Sequence, residues 1–221
     1  GVYGWYEIGG SRNAYIQHVL ASGAFKFAAP VANTGATPGF ARYGAGLGYN
    51  TVTGEYFLAS ETGTTASSTA TGVMVQKFDS GGNRLWTDNG VQLLPNSNLP
   101  SFVQCMTVGD GCMVFGLNNG GTSSGSVFGA RVNGDSSVPW SNLPGASPDN
   151  KSRLSIAKST QGFAMLAWGN GPFGSVDIQA QNVNPDGSFG PAAACYANCD
   201  SSTFAPVLNV NDFTCFLNRY A

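Results

Sequence analysis

A motif that recurs four times constrains the possible folds of this 221-residue chain more than any other feature. The segments IQHVLASGAFKF from Ile16, VQKFDSGGNRLW from Val75, GARVNGDSSVPW from Gly129 and AQNVNPDGSFGP from Ala180 align in one frame. With Gln17, Gln76, Ala130 and Gln181 as the anchor, the spacings are 59, 54 and 51 residues. Six positions after the anchor stand Gly23, Gly82, Ser136 and Gly187; ten positions after it stand Phe27, Trp86, Trp140 and Pro191. Periods of about fifty residues mark supersecondary units that stack to bury one another's faces.

A second element precedes each motif. VYGWYEI from Val2, EYFLAS from Glu55, CMVFGL from Cys112 and FAMLAW from Phe163 are short apolar runs, and the last three follow Thr53-Gly54, Asp110-Gly111 and Gln161-Gly162. A glycine turn before an apolar run is what a hairpin needs. Ahead of those turns, GFARYGAG, SFVQCMTV and RLSIAKS supply first strands. A full unit therefore reads strand, glycine turn, apolar strand, polar loop, strand, glycine turn, strand, which is the size and order of one β-propeller blade. The continuous apolar second strand suits burial on both faces, and the aromatic ten positions past the anchor is expected to fill the space between blades. The fold expected is all-β, a propeller of four-stranded antiparallel blades, about four in number or part of a larger ring. Residues 39–96, 97–147 and 148–194 each hold four strands in this reading, and residues 1–38 hold the last three strands of a unit. A blade lacking its first strand exposes an edge, which another segment completes or which reflects a chain cut within a larger propeller.

Composition narrows the class. Only 10% of residues are charged, but 42% are hydrophobic and 12% aromatic, which excludes a disordered chain. The net charge of −2 and the lack of a Lys/Arg cluster leave no basic stripe for nucleic-acid phosphates. Apolar stretches run a few residues, against the ~20 that span a bilayer. The chain opens at Gly1 with neither an initiator Met nor a secretory signal, as expected after processing or trimming.

There are five cysteines and one histidine, with no C-x-x-C pair, so disulfides in an oxidising compartment are expected in place of a thiolate metal site. Cys105 and Cys112 flank Val108-Gly109-Asp110-Gly111. A hairpin centred between Val108 and Gly109 sets them opposite and allows a bridge, whereas one centred on Asp110-Gly111 puts Cys105 opposite Gly116 and forbids it. The bridge is the reading adopted. The odd count leaves one thiol unpaired, or paired outside this chain.

Residues 195–221, CYANCDSSTFAPVLNVNDFTCFLNRYA, leave the repeat. This stretch resembles the dockerin-like C-terminal modules of secreted planctomycete proteins, which carry runs of the form YANCD-S-T-PVLNV-DF-CFLN-F. The resemblance implies an exported, multidomain parent and a tail serving attachment. It also implies a calcium loop, with Asn198, Asp200 and Ser202 at alternating positions, Asp212 closing it, and a following helix. The loop is about three residues longer than the usual twelve and supplies only two carboxylates. Two other readings stay open: a cap stapled by Cys199 and Cys215 without calcium, and a strand hairpin that completes the first blade.

Single residues are weighed against ordinary structural roles. His18 has no nucleophile motif near it and reads as a strand histidine. Asp79, Asn133, Asn184 and Asp186 fall in the turns after the third strands, where Asp and Asn bond their own backbone. Trp5, Trp86, Trp140 and Trp168 read as packing between blades. Tyr43, Tyr49 and Phe173, read as exposed aromatics in glycine-rich loops, are the candidates for stacking a ligand. Glu7, Glu55 and Glu61 lie near second strands without a paired-carboxylate signature. The expected protein is an exported, non-enzymatic scaffold or adhesion protein at the cell surface, whose loops meet a protein or glycan partner. The alternatives are a carbohydrate-binding, lectin-like propeller and a fragment of a secreted glycoside hydrolase.

Overall fold

The computed structural model describes residues 1–8, 12–33, 41–63, 72–95, 100–118, 125–142, 150–172 and 175–190. These contain fourteen strands and no helix. The first sheet is β1 (Val2–Glu7), β2 (Asn13–His18) and β3 (Val31–Ala32); the second is β4 (Arg42–Tyr49), β5 (Tyr56–Thr62), β6 (Gly72–Phe78) and β7 (Val91–Leu94). The third is β8 (Pro100–Val108), β9 (Gly111–Asn118), β10 (Ser126–Val132) and β11 (Trp140–Asn142); the fourth is β12 (Lys151–Lys158), β13 (Ala164–Asn170) and β14 (Asp177–Val183). Each is an antiparallel meander in chain order, and each sheet packs face to face on the next. This is the architecture of propeller blades. The tail at 195–221, where calcium ligands were expected at Asn198, Asp200, Ser202 and Asp212 or alternatively a Cys199–Cys215 staple, lies outside the described residues, as does Phe173.

The anchors Gln17, Gln76, Ala130 and Gln181 fall on β2, β6, β10 and β14, the third strands of their units. The turn after each is the same structure. Gly23, Gly82, Ser136 and Gly187 all adopt left-handed backbone, with φ of 82°, 88°, 75° and 84°. Each donates its N–H to the carbonyl three residues earlier, at 2.9, 3.1, 3.0 and 2.9 Å. The spacing seen in the sequence is thus a conserved local geometry, one that glycine adopts without the Cβ penalty other residues incur.

Period-two alternation then sorts side chains between blades. On β5, Tyr56 and Leu58 join Ile16 and Phe27 of the first blade, while Phe57 and Ala59 face Val103, Cys105 and Val114 of the third. On β9, Cys112 and Val114 face back, and Met113, Phe115 and Leu117 face forward onto Leu154, Leu166 and Trp168 of the fourth. All of these second-strand residues are buried, as a strand covered on both faces must be.

The aromatics ten positions past the anchor bind blade to blade. Trp86 donates Nε1–H to the carbonyl of Gly134 at 3.0 Å, and Trp140 donates to that of Pro185 at 2.8 Å. Phe27 lies over Gly82, and Trp140 over Gly187, so close that an added Cβ would sit 3.1 and 2.8 Å from ring atoms. The residue after the anchor adds a polar link on the same side. Lys77 reaches the Asp110 carbonyl at 3.2 Å and Glu55 at 3.0 Å, and Arg131 reaches the Pro185 carbonyl at 3.1 Å.

The expected Cys105–Cys112 bridge is corrected. Both are free, buried thiols. The hairpin turns through Gly109-Asp110, with Val108 opposite Gly111, so Cys105 faces Val114 and Cys112 faces Thr107. The two thiols are diagonal neighbours on one face. Burial, with Cys105 beside it, pushes the Cys112 thiol up, which favours its neutral form. No helix among the described residues is long and apolar enough to cross a membrane.

Candidate functional site

The meander puts all the short turns at one end of the sheets and the starts of β4, β8 and β12 at the other. These three innermost strands carry the same irregularity at that second end. Pairing slips between Tyr43 and Gly46, between Ser101 and Gln104, and between Ser152 and Ser155. In each case the first bulged residue is left-handed: Gly44 at φ 64°, Phe102 at φ 54°, Arg153 at φ 53°. For Phe and Arg this backbone costs on the order of 1–2 kcal/mol. Bulges of this kind re-aim side chains and gather near functional sites. Phe102 is 48% exposed, and Arg153 is exposed with no hydrogen bond or ion pair among the described residues.

Glu61 ties two of these bulges together. It is the second-last residue of β5, opposite Tyr43, and its carboxylate faces the backbone N–H groups of Val103 and Phe102 on the neighbouring blade. A Cβ on Gly44 would stand 3.7 Å from its Oε1. Desolvation pushes the Glu61 carboxyl up, partly offset by those two N–H donors. On the other side of the second blade, Arg12 donates to the Tyr43 hydroxyl and lies over its ring at 5.0 Å from the centroid. Tyr6 packs on Tyr43 at 6.2 Å. Behind these groups Arg42 and Lys151 occupy matching first positions of β4 and β12, and both are buried. Burial lowers the Arg42 guanidinium to about 10, with Asp88 opposing the shift.

Of the expected stacking residues, Tyr43 lies at this end but on a strand. Tyr49 lies at the far end of the same strand, so the two are not brought together. Both were expected in loops because of the surrounding glycines, and those glycines have another cause. A Cβ on Gly46 would come 2.8 Å from the Val103 carbonyl, and one on Gly48 would come 3.3 Å from Cys105 Sγ. They let β4 approach β8. Trp168 is buried in the core between the third and fourth blades, and Trp5 stacks on Tyr15 at 5.9 Å. Asp79, Asn133, Asn184 and Asp186 bond within their own turns. Glu55 is held by Lys77, and Glu7 accepts from Trp5. Among the described residues no three His, Cys, Asp or Glu side chains gather as a metal site. Phe102, Arg153 and Arg12 escaped the sequence reading; the only signal was their position relative to the following turn.

His18 sits at the turn end, between the first two blades. Its Nδ1 is 2.6 Å from the Tyr56 hydroxyl, which also accepts from Lys26 at 3.1 Å; Tyr49 meets the imidazole edge-on at 5.3 Å. With Lys26 donating, Tyr56 gives its own hydrogen to a neutral imidazole. Desolvation, then Lys26, then the Gly1 ammonium lower the His18 pKa from its ordinary 6.5. The unfolded chain therefore binds this proton more readily, and stability contributed here is complete above 6.5 and falls as pH drops below it. As the chain has one histidine, a single imidazole NMR signal reports the titration. A midpoint at or above 6.5, or melting temperatures flat across pH 7.5 to about 5, would remove this contact from the account.

No known protein family matches the sequence, and no curated protein does. Solved structures do match. An ulvan lyase of polysaccharide lyase family PL25 superposes with a TM-score of 0.56 at 9% identity, covering 86% of this chain and 51% of its own. The same type of lyase bound to -[GlcA(1-4)Rha3S]- gives 0.56 at 10% identity, with 86% and 51% covered. A xylan β-1,4-xylosidase from Bacillus halodurans gives 0.47 at 12% identity, with 85% and 40% covered. The chain thus spans about half, or less, of the length of these proteins. At such identities the likeness establishes the propeller fold. The expectation of a non-enzymatic protein is corrected by the same finding: the polysaccharide lyases that superpose on this chain are enzymes.

Proposed function

We propose that this chain belongs to an exported carbohydrate-active enzyme and binds a polysaccharide across the end where β4, β8 and β12 begin. The observation that carries this is the triple bulge, which places Phe102 and Arg153 in left-handed backbone at this end, Phe102 half exposed and Arg153 exposed. The fold shared with an ulvan lyase supports it. Tyr43, Tyr6 and Phe102 offer aromatic faces to sugar rings. Glu61 is the proton-transfer group of the site. Its carboxyl is raised by burial, the direction that suits an acid near neutral pH. It protonates the leaving glycosidic oxygen, a step that hydrolysis and elimination share.

The test is release of new chain ends from a panel of polysaccharides, with binding followed by affinity electrophoresis. Glu61→Gln is expected to slow cleavage by about 10²–10⁴-fold, the range for losing general acid catalysis, and to leave binding within about twofold because the amide oxygen still accepts an N–H. If no polysaccharide retards the protein and none is cut, the reading fails. If cleavage survives Glu61→Gln, the role given to Glu61 fails.

A further inference from the structure

We infer that the row of bulges selects an anionic sugar residue, with the Phe102 ring stacking on the pyranose and the Arg153 guanidinium pairing its carboxylate or sulfate. The inference rests on the carbohydrate reading of this end and names the substrate class. Its starting point is that equivalent positions differ where they need not. Gly44 meets the bulge's backbone demand with no Cβ; Phe102 and Arg153 meet it against preference. A glycine at either position would relieve the strain, so side chains there call for a compensating role. Packing does not provide one. Phe102 lies in none of the buried clusters and is 48% exposed, and Arg153 is exposed and makes no polar contact among the described residues. What the two have in common is display, from matched positions on the adjacent strands β8 and β12.

Chemistry then chooses the ligand. A flat aromatic face takes the C–H face of a sugar, and a planar guanidinium takes a two-oxygen anion through paired N–H donors. The surrounding charge agrees. Arg12, Arg42, Lys151 and Arg153 stand at this end against Glu7, Glu61 and Asp177. Among the described residues this end carries one more cation than anion, and Arg153 is the exposed cation without a polar partner.

The experiment is affinity electrophoresis of the whole chain in gels containing neutral dextran, neutral xylan, polygalacturonate or dextran sulfate. Variants are Arg153→Gln, Phe102→Ala, Arg153→Gly and Phe102→Gly. Anionic gels are expected to retard the protein at least about tenfold more strongly than neutral ones, and the effect should weaken as salt rises. Arg153→Gln is expected to remove that preference and spare neutral binding, and Phe102→Ala to weaken both. The glycine variants are expected to melt at or above the parent temperature while losing the same binding, since they relieve the left-handed backbone. That combination separates a ligand role from a structural one. Retardation by polygalacturonate alone identifies a carboxylate, and by dextran sulfate alone a sulfate. Equal retardation in neutral and anionic gels, or full anionic preference in Arg153→Gln, overturns the inference and leaves the carbohydrate reading standing. No retardation in any gel overturns both.

Discussion

Truncating Phe115 to alanine is expected to cost about 3–5 kcal/mol, the range for deleting a fully enclosed aromatic ring. Phe115 has 0% exposure and lies midway along β9, in the cluster that joins the third blade to Leu154, Leu166 and Trp168 of the fourth. Its cross-strand partner is Gly129, where a Cβ would stand 2.7 Å from the ring, so the β10 backbone lies against the aromatic face. Trp140 closes the other side at 6.5 Å between centroids. Neighbours held by two sheets cannot collapse into the vacated space, which puts the cost near the top of the range. Urea unfolding followed by circular dichroism measures it. A loss under about 1 kcal/mol would mean that the third and fourth blades do not share a packed core.

The second large effect is a difference between two matched glycines. Gly23→Ala and Gly187→Ala change the same turn in different blades, at φ of 82° and 84°. Both incur the left-handed penalty, about 1–2 kcal/mol. At Gly23 an added Cβ meets nothing within 4 Å, whereas at Gly187 it meets Trp140 atoms at 2.8 Å. Displacing that indole also strains its hydrogen bond to the Pro185 carbonyl. Gly187→Ala is therefore expected to lose a further ~1–3 kcal/mol of overpacking energy. Chemical denaturation of the two variants side by side decides the matter. Equal losses would show that the tryptophan ten positions past the anchor is not a blade-to-blade contact.

These two predictions mark the part of the molecule that was legible in advance. A turn that needs one left-handed residue, followed four positions later by a ring that fills a wedge, imposes identical demands each time a blade is made. Sequence records such demands as a period. The burial of β5 and β9 was legible for a similar reason: a strand covered on both faces has no position left for a charge until its end, where Glu61 stands. The reading failed where one residue type serves two purposes. Gly48, beside Tyr49, looked like a loop glycine, and with Gly46 it is instead the flat surface against which β8 packs. Cys105 and Cys112 looked like a bridge, and a one-residue shift of the turn left them diagonal.

The expectation of a non-enzymatic protein, which the fold shared with polysaccharide lyases overturned, had a related weakness. It rested on the lack of a local signature. The candidate groups come from separate parts of the chain, with Arg12 ahead of β2, Tyr43 on β4, Glu61 on β5, Phe102 on β8 and Arg153 on β12. They lie up to 141 residues apart in the chain, so no short pattern can contain them.

Chain order and composition by themselves determined an all-β fold of stacked, repeated sheets, because local turn chemistry and two-sided burial act over a few neighbouring residues. Only the tertiary structure decided which strand ends meet, since that depends on the bulges of β4, β8 and β12. A bulge is a property of two paired backbones, and it occurs here with Gly44 and, against residue preference, with Phe102 and Arg153.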